Sequence, residues 1–274
     1  MNPADPDDGP IGLFDSGVGG LTVVAHLLQR LPEESVLYFG DTAHLPYGPR
    51  PLEEVRDYAI RIGRYLAAQG AKIVVMACNT STSAAFDAVQ EDLPVPVLGM
   101  VEYGVHAALA VARNGKVGVI ATQGTVLSGA YERAFRAVRE DLQVVQQACP
   151  EFVPLVESGA TDSPEALAAI QQYIAPLSAQ GIDTLVLGCT HYPYLAGTIQ
   201  QVVGPNVVLV DPAEALVQAL ERLLDEKGLR RRSPDPPTHR FLVSGDPAAF
   251  VAAAHRLLHR EILVEKVDIF DAEN

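Results

Sequence analysis

Two of the chain's three cysteines are placed to act as acid and base, because each ends an apolar run and precedes small polar residues. Cys78 is followed by an Asn-Thr pair and Cys189 by a Thr-His pair. A free thiol has a pKa of about 8.5, and the N-terminus of a following helix would lower it toward neutrality, where general acids and bases work best. Cys149 lacks such neighbours and a partner elsewhere in the chain, so we expect a buried structural residue there.

The two cysteines occupy equivalent positions of an internal repeat. Segments 69–78 and 180–189 both begin with Gln-Gly and end with Cys, at a constant offset of 111 residues. Segments 11–16 and 117–122 resemble each other at an offset of 106, in the same order along the chain. Chance is the alternative, because apolar runs that end in a small polar residue are common in α/β proteins. The shared ends of the first pair favour two related halves that face each other.

Short apolar runs alternate with longer amphipathic patterns, which is typical of α/β architecture with mostly parallel sheets. The predicted strands are 11–14, 36–40, 73–77, 97–100, 117–121, 143–148, 184–188, 207–210 and 241–244. Helices are predicted, among others, at 21–30, 52–69, 164–179 and 212–226. We therefore expect two pseudo-symmetric α/β domains with the active site in the cleft between them.

Polar residues follow several of these strands, at the edge where open parallel sheets bind ligands. If the halves face each other, Cys78 and Cys189 approach this edge from opposite sides. One thiol could then remove a proton from the α-carbon of an amino acid while the other supplies a proton to the opposite face. The pattern therefore predicts an amino-acid racemase that uses two bases.

Pyridoxal phosphate, the usual cofactor for this reaction, needs a lysine for its Schiff base. The chain has four lysines, and none is expected near the cleft: they are Lys72, Lys116, Lys227 and Lys266. We therefore predict no cofactor. The glycine-rich loop 15–20 fits neither the dinucleotide nor the P-loop pattern, and we expect it to admit a small anion at a helix N-terminus. Side chains that could bind carboxylate and ammonium groups are Ser16, Asn79, Thr80, Thr122 and Thr190.

Composition excludes several other classes. The formal net charge of −14 disfavours a nucleic-acid partner. No apolar stretch approaches the length of a membrane span, and the acidic first ten residues do not resemble a secretory leader. Three cysteines without a CxxC pair favour neither a disulfide framework nor a zinc site, so we expect no metal and a cytoplasmic protein.

Four motifs resemble those of the glutamate racemases, a family within the aspartate/glutamate racemases. They occupy residues 15–22 (DSGVGGLT), 41–48 (DTAHLPYG), 77–80 (ACNT) and 188–193 (GCTHYP), and segment 152–157 is similar to a further family segment. The first motif and the histidine after Cys189 favour glutamate over aspartate as substrate. Ser81 departs from the alanine common in the family, at a position outside the chemistry.

The resemblance implies two flavodoxin-like domains, the first formed by residues 1–98 plus 213–274 and the second by residues 99–212. It implies that Cys78 takes the α-proton from D-glutamate, assisted by Asp15, and that Cys189 takes it from L-glutamate, assisted by His191. Asp41 and Glu157 would support the site. The residues implied to bind substrate are Asp15, Ser16, Pro46, Tyr47, Gly48, Asn79, Thr80, Thr122, Thr190 and His191. The D-glutamate would serve peptidoglycan synthesis in a bacterial cytoplasm.

Two alternatives stay open at this point. The chain could be a cofactor-independent racemase of aspartate or another small acid. It could also be a binding protein without turnover, such as an inhibitor of DNA gyrase, although the presence of both cysteines argues against a dead enzyme. The expected partner is the small-molecule substrate, with no nucleic acid and no membrane. A homodimer is compatible with the sequence.

Overall fold

The computed structural model describes residues 8–258 and 261–270. These residues form ten strands and eleven α-helices. The strands are β1 (Ile11–Asp15), β2 (Val36–Gly40), β3 (Ile73–Met76), β4 (Val97–Gly99), β5 (Lys116–Ala121), β6 (Gln143–Ala148), β7 (Thr184–Gly188), β8 (Val208–Val210), β9 (His239–Val243) and β10 (Val264–Lys266). The helices are α1 (Leu21–Arg30), α2 (Leu52–Ala68), α3 (Asn79–Asp92), α4 (Met100–Val111), α5 (Gln123–Ser128), α6 (Ala130–Val138), α7 (Phe152–Glu157), α8 (Pro164–Ser178), α9 (Ala196–Val203), α10 (Pro212–Lys227) and α11 (Pro247–Leu258).

The strands build two sheets in which all strand pairs are parallel. The larger sheet has the order β10-β9-β2-β1-β3-β4, and the smaller has the order β6-β5-β7-β8. The predicted α/β fold with parallel sheets is confirmed, and the nine predicted strands are present with ends shifted by two residues at most. The tenth strand, β10, escaped prediction because it is a short edge strand of Val, Glu and Lys without an apolar run.

The internal repeat is visible in the pairing of the strands. The first sheet contains the order β2-β1-β3-β4, and the second repeats it as β6-β5-β7-β8. Gly12 pairs with Val74, and Gly118 pairs with Leu185, so the register matches the offsets of 106 and 111. A Cβ atom on Gly12 would meet Ala71 at 2.9 Å, and one on Gly118 would meet Ile182, the residue equivalent to Ala71, at 2.7 Å. Each half therefore has a glycine where its strand passes close to the equivalent loop of that half.

The sequence explains where the helices begin. Asp211 accepts a hydrogen bond from the amide of Ala213 at the start of α10, and Pro212 occupies the first helical position. Ser163 caps α8 in the same way, ahead of Pro164. Because strands β1, β2, β3 and β7 are buried along their whole length, helices must cover both faces of each sheet.

The last part of the chain returns to the first sheet. Helix α10 follows β8 and packs against α1 and α4, and β9 then pairs with β2. The predicted domain boundaries near residues 98 and 213 stay a prediction, which this distribution of strands between the sheets supports. In the described part of the chain, every helix is too short or too polar to cross a lipid bilayer.

Candidate active site

Loops at the carboxyl ends of both sheets surround one cavity of about 120 Å³. Its lining residues are Asp15, Ser16, Leu45, Pro46, Tyr47, Gly48, Pro49, Cys78, Asn79, Thr80, Thr122, Gln123, Cys149, Pro150, Val153, Pro154, Cys189, Thr190 and His191. Every residue predicted to act on or bind the substrate is among them, so the structure brings these residues together. The two predicted supporting residues, Asp41 and Glu157, lie behind the lining.

Cys78 stands between β3 and α3 and is almost fully buried, with Tyr47 and Val55 packed against it. Burial raises the pKa of its thiol, and the negative charge of Asp15 raises it further. The amide and hydroxyl of Ser81, in the first turn of α3, lower this pKa and are outweighed. The expectation that the helix brings this pKa toward neutrality is therefore wrong. This environment favours the protonated form of the Cys78 thiol.

Cys189 follows β7 and has a different set of neighbours. Its sulfur lies 3.8 Å from His191 Nδ1, and His191 Nε2 lies 2.7 Å from Glu157 Oε1. Burial lowers the pKa of His191, but the hydrogen bonds to Cys189 and Glu157 outweigh burial and raise this pKa to about 10. The imidazole is therefore protonated near neutral pH and sets a positive charge beside the sulfur.

The expectation that both cysteines precede a helix holds only for Cys78. After Cys189 the chain forms a short 3₁₀ turn, Tyr192–Leu195, and α9 begins only at Ala196. The histidine, and not a helix N-terminus, supplies the positive charge near this thiol. The two cysteines therefore follow equivalent strands of the repeat but have chemically different neighbours.

The carboxylate of Asp15 lies at the N-terminus of α1. It accepts hydrogen bonds from the amide of Ser16 at 2.6 Å and from the amide of Gly20. Thr190, from the other sheet's loop, donates its hydroxyl proton to the same carboxylate at 3.0 Å. The anion that these two amides bind is therefore a side chain of the protein, and binding of a free small anion by the loop stays a prediction.

Glycines in the same loop permit the close approach of the two halves. A Cβ atom on Gly19 would lie 2.5 Å from Thr190 Oγ1 and still closer to His191 Nδ1. A second close contact joins the halves where the amide of Gly124 donates to the carbonyl of Gly48 at 2.8 Å. The glycines thus serve packing between loops that carry the candidate catalytic groups.

Three threonine hydroxyls form a cluster between the halves. Thr80 Oγ1 lies 2.9 Å from Thr122 Oγ1, which lies 3.0 Å from Thr125 Oγ1. Thr122 also caps α5 by accepting a hydrogen bond from the Thr125 amide. Thr125 is not among the predicted site residues, although its position three residues after a helix-capping threonine is a recognisable sequence pattern.

Asp41 holds the loop that carries Pro46, Tyr47 and Gly48. Its carboxylate accepts hydrogen bonds from Tyr47 at 2.5 Å and from Ser244 at 2.6 Å, and it lies 2.8 Å from His44 Nδ1. Asp41 is completely buried and does not line the cavity. It is a positioning residue for the loop. Ser244 lies about 200 residues away in sequence, so the sequence offers no signal that links the two.

Cys149 has an equivalent in the first half, contrary to the expectation. The amide of Cys149 donates to the carbonyl of Ala121, and the amide of Asp41 makes the same bond to Asp15. The two residues therefore follow equivalent strands, β6 and β2. Cys149 is buried as expected, and it also contributes to the cavity wall. Burial raises the pKa of its thiol, with the nearby Cys189 as a second cause.

The lysines lie away from this cavity. Lys72, just before β3, is buried in an ion pair with Glu34 at 2.7 Å, and Lys116 begins β5, so both lie at the amino ends of their strands. Lys227 ends α10 and Lys266 ends β10. Within residues 8–258 and 261–270, no three His, Cys, Asp or Glu side chains form a group that could hold a metal ion.

Comparison with known proteins finds relatives along almost the whole chain. Residues 16–220 match the Asp/Glu/Hydantoin racemase family. The chain is 47% identical over 259 residues to the glutamate racemase of Desulforudis audaxviator (strain MP104C), covering 92% of this chain and 95% of that protein.

Solved structures show the same relationship. The crystal structure of a glutamate racemase isoform from Bacillus anthracis superposes with a TM-score of 0.92 at 39% identity, covering 95% of this chain and 97% of that one. A glutamate racemase from Francisella tularensis subsp. tularensis SCHU S4, solved in complex with D-glutamate, gives a TM-score of 0.91 at 33% identity, covering 97% and 100% of the two chains.

Proposed function

This chain belongs to the Asp/Glu/Hydantoin racemase family, and from that premise we propose that it interconverts L-glutamate and D-glutamate without a cofactor. The resemblance that the four motifs carry is confirmed at the level of the family. The observation that carries the proposed reaction is the placement of Cys78 and Cys189, from equivalent strands of two sheets, in the wall of one small cavity.

In the proposed reaction the α-carbon of glutamate binds between the two thiols. When L-glutamate is the substrate, the sulfur of Cys189 takes the α-proton, and the electron pair of the broken C–H bond is left on the α-carbon and its carboxylate. The thiol of Cys78 then supplies its proton to the opposite face, which gives D-glutamate. The reverse reaction exchanges the two roles. Because both groups are needed in opposite protonation states, the different environments of the two sulfurs suit this scheme.

The neighbours of the thiols take supporting roles in this proposal. Glu157 holds the imidazole of His191 by the bond at 2.7 Å, and the protonated ring faces the sulfur of Cys189. Asp15 stands near Cys78, and its charge raises the pKa of that thiol, which favours the form that donates a proton.

Substrate binding is assigned to the remaining polar lining. We infer that the hydroxyls of Ser16, Thr80, Thr122 and Thr190 and the loop at Tyr47 and Gly48 bind the carboxylates and ammonium group of glutamate. A mechanism without pyridoxal phosphate is supported by the lysines, none of which lines the cavity. We further propose that the enzyme works in a bacterial cytoplasm and supplies D-glutamate for peptidoglycan.

The test is to incubate the purified protein with L-glutamate in D2O, without pyridoxal phosphate. We expect the circular dichroism signal to decay to zero, with deuterium incorporated at the α-carbon of the product. Absence of both racemisation and exchange would refute the proposed enzyme activity. A panel containing aspartate and other small acidic amino acids separates the alternatives, because a preference for aspartate would overturn the choice of glutamate.

A further inference from the structure

Asn79 lines the cavity, and the two polar atoms of its side-chain amide have different surroundings. Its Oδ1 accepts a hydrogen bond from the hydroxyl of Tyr131 at 2.7 Å. Its Nδ2 is buried, and no described residue offers it an acceptor. A buried amide donor without a partner is unfavourable, so its position in a binding cavity points to an acceptor on the ligand.

Tyr131 belongs to α6 and reaches Asn79 from the other half of the molecule. Its ring is completely buried and packs against two glycines. A Cβ atom on Gly104 would lie 3.0 Å from the Tyr131 hydroxyl, and one on Gly188 would lie 3.2 Å from the ring. Gly188 directly precedes Cys189. The Tyr131 ring therefore fits because Gly104 and Gly188 have no side chain, and this close packing holds its hydroxyl in one position.

The hydroxyl of Tyr131 determines which way the amide of Asn79 points. Burial raises the pKa of Tyr131, and the charges of Asp211 and Cys189 add to the effect, so the phenol keeps its proton. Asn79 Oδ1 is its acceptor among the described residues. A flipped amide would leave the phenol proton without that acceptor and would turn an oxygen toward the ligand, where it would repel a carboxylate.

We propose that Tyr131 is a positioning residue for substrate binding: its hydroxyl fixes the Asn79 amide with Nδ2 toward the cavity, where it donates a hydrogen bond to a carboxylate of the bound amino acid. The inference rests on the proposed function, because it assigns a role in binding glutamate. It also connects the two halves, since a residue of the second half orients a binding group next to Cys78 of the first.

The test is a double-mutant cycle of Tyr131→Phe and Asn79→Ala, measured with glutamate as substrate. We expect Tyr131→Phe to raise KM about tenfold, which corresponds to about 1.4 kcal/mol, and to change kcat by no more than about twofold. Asn79→Ala should raise KM at least as much. In the Asn79→Ala background, Tyr131→Phe should have no further effect on KM, because the group that it orients is gone.

Tyr192→Phe is the matched control, because it removes another completely buried hydroxyl, one that donates to the carbonyl of Cys149 at 3.0 Å. We expect it to lower the melting temperature about as much as Tyr131→Phe does, with KM within about twofold of the wild type. An unchanged KM in Tyr131→Phe, or the same rise in KM with and without Asn79, would overturn the inference. An inactive wild-type protein would instead overturn the proposed function, and this inference with it.

Discussion

Replacing Gly19 with alanine tests whether the contact between the two loops keeps the proposed catalytic groups in place. The new methyl group would lie 2.5 Å from Thr190 Oγ1 and closer to His191 Nδ1, whereas ordinary contact begins at 3.4 Å. Thr190 and His191 are 3% and 2% exposed, so neither side chain can turn into solvent. The two loops must therefore separate by about 1 Å, which moves His191 relative to Cys189.

The size of the effect follows from that displacement. A misplacement of about 1 Å in a catalytic group lowers the rate on the order of 100-fold, and overpacking a buried site destabilises a protein by about 1–3 kcal/mol. We expect kcat/KM of Gly19→Ala to fall about 100-fold. The fall must be equal in both directions, because the two enantiomers have the same free energy in water.

The assay is the initial rate of change in circular dichroism, started separately from L-glutamate and from D-glutamate, together with a thermal melt. Gly197→Ala is the control, because Gly197 lies in α9 and a Cβ atom there meets nothing within 4 Å. Alanine is favoured over glycine in helices, so this variant should be as active as the wild type and at least as stable. A Gly19→Ala enzyme with wild-type kcat/KM would refute the reasoning.

Three further predictions concern single side chains. Cys78→Ala and Cys189→Ala should each abolish racemisation with the fold retained, whereas Cys149→Ser should stay active. Circular dichroism measures both the racemisation of glutamate and the folded state of the protein. Activity in Cys78→Ala or Cys189→Ala would contradict the two-base scheme. Asp41→Ala leaves buried donors without an acceptor, so we expect a loss of about 3 kcal/mol in urea unfolding and a larger effect on KM than on kcat. His191 keeps its proton up to a pH of about 10 in the native state and to about 6.5 when unfolded, so its contribution to stability is full below pH 6.5 and is lost as the pH rises through 10. The difference in unfolding free energy between the wild type and His191→Asn should therefore shrink over this range, and a constant difference would show that the imidazole is not held protonated.

Much of the site could be predicted because its residues belong to short local motifs. Each motif combines a strand end with the polar residues that directly follow it, and the carboxyl ends of parallel strands necessarily meet at one edge of a sheet. Contacts between distant segments left no such signal. Ser244 reaches Asp41 and Tyr131 reaches Asn79 from positions that no local pattern connects.

The prediction that a helix lowers the pKa of Cys78 was wrong, for a physical reason. A helix N-terminus lowers the pKa of a thiol through its partial charge, and this effect is smaller than the cost of burying a thiolate next to a carboxylate. The sequence reveals that Cys78 precedes α3, and the resemblance places Asp15 near it, but neither reveals how deeply the thiol is buried. Burial and charge depend on which segments pack together.

The sequence by itself determined the α/β class, the internal repeat and the equivalent positions of Cys78 and Cys189 at the ends of two strands. These features depend on local patterns of apolar and polar residues. The tertiary structure alone decided how deeply the two thiols are buried and how their neighbours are held. Cys189 lies beside a histidine held by Glu157, and Cys78 lies beside Asp15. Equivalent strand ends acquire different chemistry because electrostatic interactions act through space, and several of the interacting groups come together only when both halves have folded.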